Sequence, residues 1–86
     1  MRITYRKKEV DLLIVSLVPP TGRVASVENE NGDLLRVDSI TDRIIGVNVQ
    51  LFMHRIKHGE RIEIPEIGFS VSAETLRNLN VKTSAK

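Results

Sequence analysis

His54 and His58 are the only histidines in the chain, and they stand four residues apart. On a helix that spacing puts both imidazoles on one face, where they could share a metal ion, with Glu60 near enough in sequence to be a third ligand. Their surroundings oppose this. No Glu adjoins His54, so the zincin pattern is absent, and Arg55 and Lys57 place positive charge beside the pair. A solvated helix face or an interface role is the expectation, with no metal ligands and no cofactor.

Asp11, Asp38 and Asp42 border apolar strands and are the candidates for acid–base work. No Ser-His-Asp order, Gly-rich phosphate loop or paired Asp/Glu motif accompanies them. Carboxylates in such places more often hold turns by accepting backbone N–H groups. No catalytic residue is therefore assigned, and the chain is expected not to be an enzyme.

Arg2, Arg6, Lys7 and Lys8 form the densest basic run and are the candidate nucleic-acid contacts; Arg23, Arg43, Arg55, Lys57 and Arg61 could extend the patch. Acidic side chains are almost as numerous: 13 Lys and Arg stand against 11 Asp and Glu, a net charge of +2. That excess does not by itself demand a polyanionic partner. With Tyr5, Phe52 and Phe69 as the whole aromatic complement, stacking platforms for single strands are scarce.

The elements that must position these groups are mostly strands. In Leu12-Leu13-Ile14-Val15-Ser16-Leu17-Val18, six of seven residues are apolar, so both faces of an extended chain would be apolar, and the strand is predicted over Val10 to Val18. Pro19 and Pro20 end that strand. Ile3-Thr4-Tyr5 alternates as a short first strand. Arg23 to Glu28 and Leu34 to Asp38 read as a hairpin around Asn31-Gly32, a pair that favours a type I′ turn. Ile44 to Val49 is a fifth strand, with Ile45, Val47 and Val49 on one face and Gly46 marking a bulge or a close backbone approach. Leu51, Phe52 and Ile56 then share a helical face, so Gln50 to Lys57 is predicted as a short helix ended by Gly59. Arg61 to Ile64 and Ile67 to Val71 alternate about Pro65 as a hairpin-like element. Ser72, Glu74, Leu76 and Leu79 predict a C-terminal helix.

Two stretches carry a family resemblance. One is Met1-Arg2-Ile3-Thr4-Tyr5 followed by Glu9-Val10-Asp11-Leu12-Leu13-Ile14. The other is Gly32-Asp33-Leu34-Leu35-Arg36-Val37-Asp38 followed by Ile44-Ile45-Gly46-Val47-Asn48-Val49. Over roughly the first two thirds the chain resembles the small prokaryotic domain-of-unknown-function family numbered twenty-two eighty-three. It departs from that pattern at Arg6, where Asp is usual, at Ile14, where Tyr is common, at Asn48, where Glu is usual, and by one extra residue between Tyr5 and Asp11. The resemblance implies a small β-rich fold with an appended helix, and no activity that can be assigned to a residue.

The expected fold is α+β: one domain over residues 1–81, mostly an antiparallel β meander with a short middle helix and a C-terminal helix, then a flexible tail over 82–86. With 86 residues and no cysteine to staple them, oligomerisation is an economical way to add burial. The leading expectation is a non-enzymatic interaction module, a homo-oligomer completed through an apolar strand or helix face, with Leu13, Val15, Leu17, Leu51, Phe52 and Met53 at the interface. The alternative is a nucleic-acid-associated regulatory or antitoxin-like protein using the basic N-terminal run. Absence of cysteine fits a cytoplasmic location. Glu9, Asp11 and the two prolines interrupt what could pass for a secretory leader, and the apolar run is far shorter than the roughly 20 residues of a spanning helix, so no membrane partner is expected.

Overall fold

The computed structural model describes residues 1–8 and 10–79, and the backbone of 81–84. Period-two alternation becomes strands where the sequence predicts them: β1 (Arg2–Arg6), β2 (Leu12–Ser16), β3 (Val24–Glu28), β4 (Leu34–Asp38) and β5 (Ile44–Gln50). A short helix, α1 (Phe52–Lys57), follows β5. Then come β6 (Ile62–Ile64), a 3₁₀ turn over Pro65–Ile67, and β7 (Phe69–Val71). The chain is mostly antiparallel sheet with one short helix.

The large sheet is not a simple meander. Its strand order is β3-β4-β5-β2-β1, with β8 (Val81–Ser84) at the far edge. β3, β4 and β5 are consecutive neighbours, but β5 then inserts beside β2 rather than leaving β2 next to β3. β6 and β7 pair as a separate antiparallel hairpin.

One face of this sheet is dry. Ile3, Leu13, Val15, Leu35, Val47 and Val49 point to it and pack with Phe52 and Ile56 of α1 and with Ile62, Ile64, Phe69 and Val71 of the small hairpin. Leu13, Val15, Val47 and Val49 are wholly inaccessible to solvent. At about 25 cal/mol per Å² of apolar area, this layer is the main source of stability. Ile45 departs from the predicted Ile45, Val47, Val49 face. The pairing register slips between Arg36 and Val37, so Arg36 opposes Gly46 while Val37 opposes Ile44. Ile45 is left without a partner on β4, and it is buried outside the main cluster.

Three further expectations need correction. The final helix does not form: after β7 there is only a 3₁₀ turn over Leu76–Asn78. Leu76 and Leu79 alone give it a thin apolar side, and so short a helix lacks the length to hold itself. Ser72, predicted as its cap, instead donates its N–H to Thr75 Oγ1 at 2.9 Å, closing a local turn. In the segment predicted as a tail, β8 pairs parallel to β1, with Val81 opposite Ile3 and Ser84 opposite Arg6; residues 85 and 86 lie outside the described residues.

The Asn31-Gly32 turn is not type I′ either. That type needs positive φ at both central residues, and here Gly32 has φ 83 while Asn31 is not left-handed. Asn29 C=O accepts the Gly32 N–H at 3.1 Å, and Asn29 N–H donates to Asp33 O at 2.9 Å, closing a wider loop. Asn29 Oδ1 holds that loop by accepting the N–H groups of Asn31 and Asp33. α1 starts two residues later than predicted, because Gln50 completes β5 and Leu51 turns left-handed at φ 53. Gly59, at φ 80, terminates it as predicted.

Candidate functional site

Asp11 and α1 are built around each other. Asp11 sits just before β2 with φ 44, a left-handed conformation that Asp tolerates better than most residues. Its carbonyl accepts the Phe52 N–H at 3.0 Å, Oδ1 accepts Met53 N–H at 2.8 Å, and Oδ2 accepts His54 N–H at 3.0 Å. Three orphan donors of the first turn are thus satisfied by one residue about forty positions earlier in the chain. Oδ1 also takes the Tyr5 hydroxyl at 2.7 Å. Burial would raise the Asp11 pKa, but the bonds from Tyr5, His54 and Met53 together hold it below the usual carboxylate value. Burial first, and then the bond to Asp11 and its negative charge, push Tyr5 up to about 12.

Asp38 does equivalent work at the opposite end of the sheet. Its Oδ2 accepts both the N–H and the hydroxyl of Thr21, and its Oδ1 accepts the N–H groups of Ile40 and Thr41. The Thr21 backbone and hydroxyl donors lead, helped by Ile40, and bring its pKa down to about 2. Asp42 lies in the next turn, exposed, at φ 59. Asp11 and Asp38 are therefore turn and helix anchors with both carboxylate oxygens engaged, at opposite ends of the strands. The fold brings no acid–base set together from them.

His54 on α1 and His58 at its C-cap are both exposed, ring centroids 4.2 Å apart, and His58 Nδ1 engages the His54 carbonyl at 2.7 Å. Glu60 turns away to Arg55, at 3.2 Å. Among the described residues, no cluster of three or more His, Cys, Asp or Glu is placed to hold a metal. Arg55, which the sequence offered only as an extension of the basic patch, is a positioning residue: its Nη1 meets the fully buried Asp33 at 2.8 Å, tying α1 to the β3–β4 loop.

The predicted interface set divides. Leu13, Val15 and Phe52 are buried in the chain's own core, where a partner does not reach them, while Leu17 and Met53 are half-buried and pack against it. Only Leu51 is exposed, at 56%. The reason is geometric: β2 is apolar on both sides, and α1 with the β6–β7 hairpin covers the side holding Leu13 and Val15.

Among the described residues, no helix or hairpin covers the other side of the sheet in this way. Register places Glu28, Leu34, Asn48, Ile14 and Thr4 in one cross-strand row. Leu12, Ile14 and Leu34 are half-buried and belong to no part of the core cluster. Val10 and Leu51 extend them at 50% and 56% exposure, and a depression between Val10, Leu12, Leu34 and Leu51 runs down to Asn48. Asn48 Oδ1 is buried with no donor among the described residues. One pleat repeat along, the next row reads Ser26, Arg36, Gly46, Ser16 and Arg2. There the Arg36 side chain lies flat across β5, over Gly46, and its Nη2 donates to Val15 O at 2.8 Å and Ser16 Oγ at 3.2 Å. A Cβ on Gly46 would run into the Arg36 guanidinium and stand 2.6 Å from the Val15 carbonyl oxygen. The glycine is thus a close approach beside a register slip.

Arg2, Arg6, Lys7 and Lys8 are all exposed. Arg2 and Arg6 alternate along β1 toward the open face, and Lys7 and Lys8 continue into the β1–β2 connection. Among the described residues, no helix is long and apolar enough to cross a membrane. Comparison of the chain with family models, with curated proteins and with solved structures finds no match.

Proposed function

We propose that this chain is a non-enzymatic interaction module that pairs with a second copy of itself through the part of the open sheet face around Leu12, Ile14 and Leu34. The observation that carries this is the asymmetry of β2: Leu13 and Val15 are sealed, while Leu12 and Ile14 stay only half-buried on a face that no helix or hairpin among the described residues covers. Apolar strips of this kind are where partners dock.

The surface is self-complementary in charge. The Leu34–Ile14 row begins at the acidic Glu28 on β3 and ends at Thr4 on β1, and the basic Arg6 stands one pleat repeat along β1, opposite Leu12 of β2. A two-fold axis parallel to the strands turns one sheet over onto the other, setting the β1 edge of each copy over the β3 edge of its mate. Arg6 then faces the Glu28 side while Leu34 packs on Ile14, an isologous contact. A standard interface needs about 800 Å² from each partner, a modest part of the 5958 Å² this chain exposes.

Light scattering after size exclusion tests the reading. The wild type should have at least the mass of a dimer at high micromolar concentration, and Leu34→Glu should be a folded monomer. A monodisperse wild-type monomer overturns it. The resemblance to the domain-of-unknown-function family is compatible with this reading and adds no activity to it.

A second reading, a nucleic-acid-associated regulator, is favoured by one observation. Arg2, Arg6, Lys7 and Lys8 lie exposed along one edge, in no ion pair among the described residues. It requires binding to random duplex DNA or RNA that weakens steeply with salt; no mobility shift at low ionic strength removes it.

A further inference from the structure

The chain contains two half-buried arginines that it treats differently. Arg55 is met by two carboxylates, Asp33 at 2.8 Å and Glu60 at 3.2 Å. Arg36 is met by none among the described residues. Its Nη2 is held by a carbonyl and a hydroxyl, and its Nε is buried without an acceptor. Asp38, two residues along β4, has both oxygens occupied by Thr21, Ile40 and Thr41. Removing a guanidinium from water without a counter-charge is costly, and the cost is relieved by any anion that reaches it.

Arg36 lines a recess of about 500 Å³, within the range of small-molecule sites. Arg2 lines it too, and register puts the two arginines and Ser16 in one cross-strand row on one face. The walls are apolar: Val18, Pro19 and Val24, of which Val18 is 54% and Val24 44% exposed. Burial alone pulls the Arg36 pKa downward, as it does for a cation with no anion beside it.

We propose that this recess binds a small organic carboxylate: a planar anion set on Arg36 and Arg2, with an attached apolar group against Val18, Pro19 and Val24. A guanidinium matches a carboxylate in geometry and charge. The apolar walls favour an organic acid over a bare inorganic anion. The site lies on the same sheet face, one pleat repeat from the row that carries self-association; it goes beyond that reading and rests on different residues, and it is titrated on the monomer, at a concentration where light scattering shows no dimer.

The test is a titration of the ¹⁵N-labelled chain, followed through its arginine Nε–Hε signals and, in every variant, the backbone amides of Ser16, Val18 and Val24. The probes are hexanoate, N-acetylleucine as a mimic of a peptide C-terminus, hexanol and inorganic phosphate. Hexanoate or N-acetylleucine should move the Arg36 signal saturably, and which of the two binds tighter separates a free acid from a chain terminus as the source. Hexanol and phosphate should bind far more weakly. Arg36→Gln should weaken binding about tenfold or more, and Arg2→Gln about threefold. Val24→Trp, which fills the recess while leaving both arginines in place, should abolish it and keeps the test independent of any folding defect at Arg36. No saturable shift with either acid overturns the proposal. So does equal binding of hexanol or phosphate, or an Arg2→Gln and Val24→Trp pair that bind like wild type.

Discussion

Replacing Asp11 by Asn probes the anchor between β2 and α1 and has an unusually clean reporter. Tyr5 is the only tyrosine and there is no tryptophan, so phenol ionisation read by ultraviolet difference absorbance belongs to one group. In the wild type that group is pushed up to about 12 by burial, the bond to Asp11 and the Asp11 charge. Asn keeps the shape and tolerates the φ of 44 at this position. It removes the charge and turns one acceptor into a donor. The Tyr5 pKa should fall from about 12 toward its ordinary value near 10 and stop short of it, because burial, the largest cause, remains. Of the three side-chain bonds to Tyr5, Met53 and His54, Asn loses at least one outright and weakens the rest, costing about 1–2 kcal/mol in urea unfolding. Ala loses all three and leaves the Tyr5 hydroxyl unpaired, costing about 2–4 kcal/mol. The pH dependence follows the same signs. Tyr5, with its pKa raised on folding, contributes stability that is complete below its ordinary value near 10 and is lost as pH rises toward about 12. Asp11, with its pKa depressed, contributes above the ordinary carboxylate value of about 4, and that contribution fades as pH falls through the lowered one. A wild-type Tyr5 that titrates at its ordinary pH, or a D11N protein whose titration curve and urea midpoint match wild type, refutes this account.

Two other perturbations test the sheet itself. Gly46→Ala should displace Arg36 and strain the β2–β5 pairing, with a cost of about 1–3 kcal/mol. Removing Arg36 as well should restore only part of it, because the Val15 carbonyl still stands 2.6 Å from the new methyl; an unchanged melting temperature for G46A would mean the arginine does not cross there. Asp38→Asn should loosen the loops at Thr21 and at Ile40 and Thr41. With the wild-type Asp38 pKa near 2, its advantage over the Asn variant should be full above the ordinary carboxylate value of about 4 and shrink as pH falls toward about 2. A stability difference that does not change between neutral pH and pH of about 2 would contradict that.

Period-two alternation is a local property, and it located most of what is local here. β1 through β5, the β6–β7 pair around Pro65 and the end of α1 at Gly59 lie within a few residues of where the residue pattern puts them. The roles of Asp11 and Asp38 as backbone acceptors were equally legible, since short carboxylates beside turns serve orphan N–H groups. Even so, the donors that Asp11 serves lie about forty residues away, which no spacing could announce. Where local preference was thin it failed: Leu76 and Leu79 could not sustain a helix, and the side chain of Asn29 converted the Asn31-Gly32 turn into a wider loop.

Other features required the folded chain. Leu12 and Ile14 are as apolar as Leu13 and Val15, so nothing in the strand says which pair is to be sealed. The choice is made by the side on which α1 and the β6–β7 hairpin dock, and the candidate interface moves to the opposite face as a result. Arg36 reaches Gly46 and the Val15 carbonyl only because β5 inserts between β4 and β2 with a one-residue slip in register. A strand's sequence determines that its side chains alternate. Which side becomes interior, and which charges are left there without partners, is decided by contacts between segments far apart in the chain.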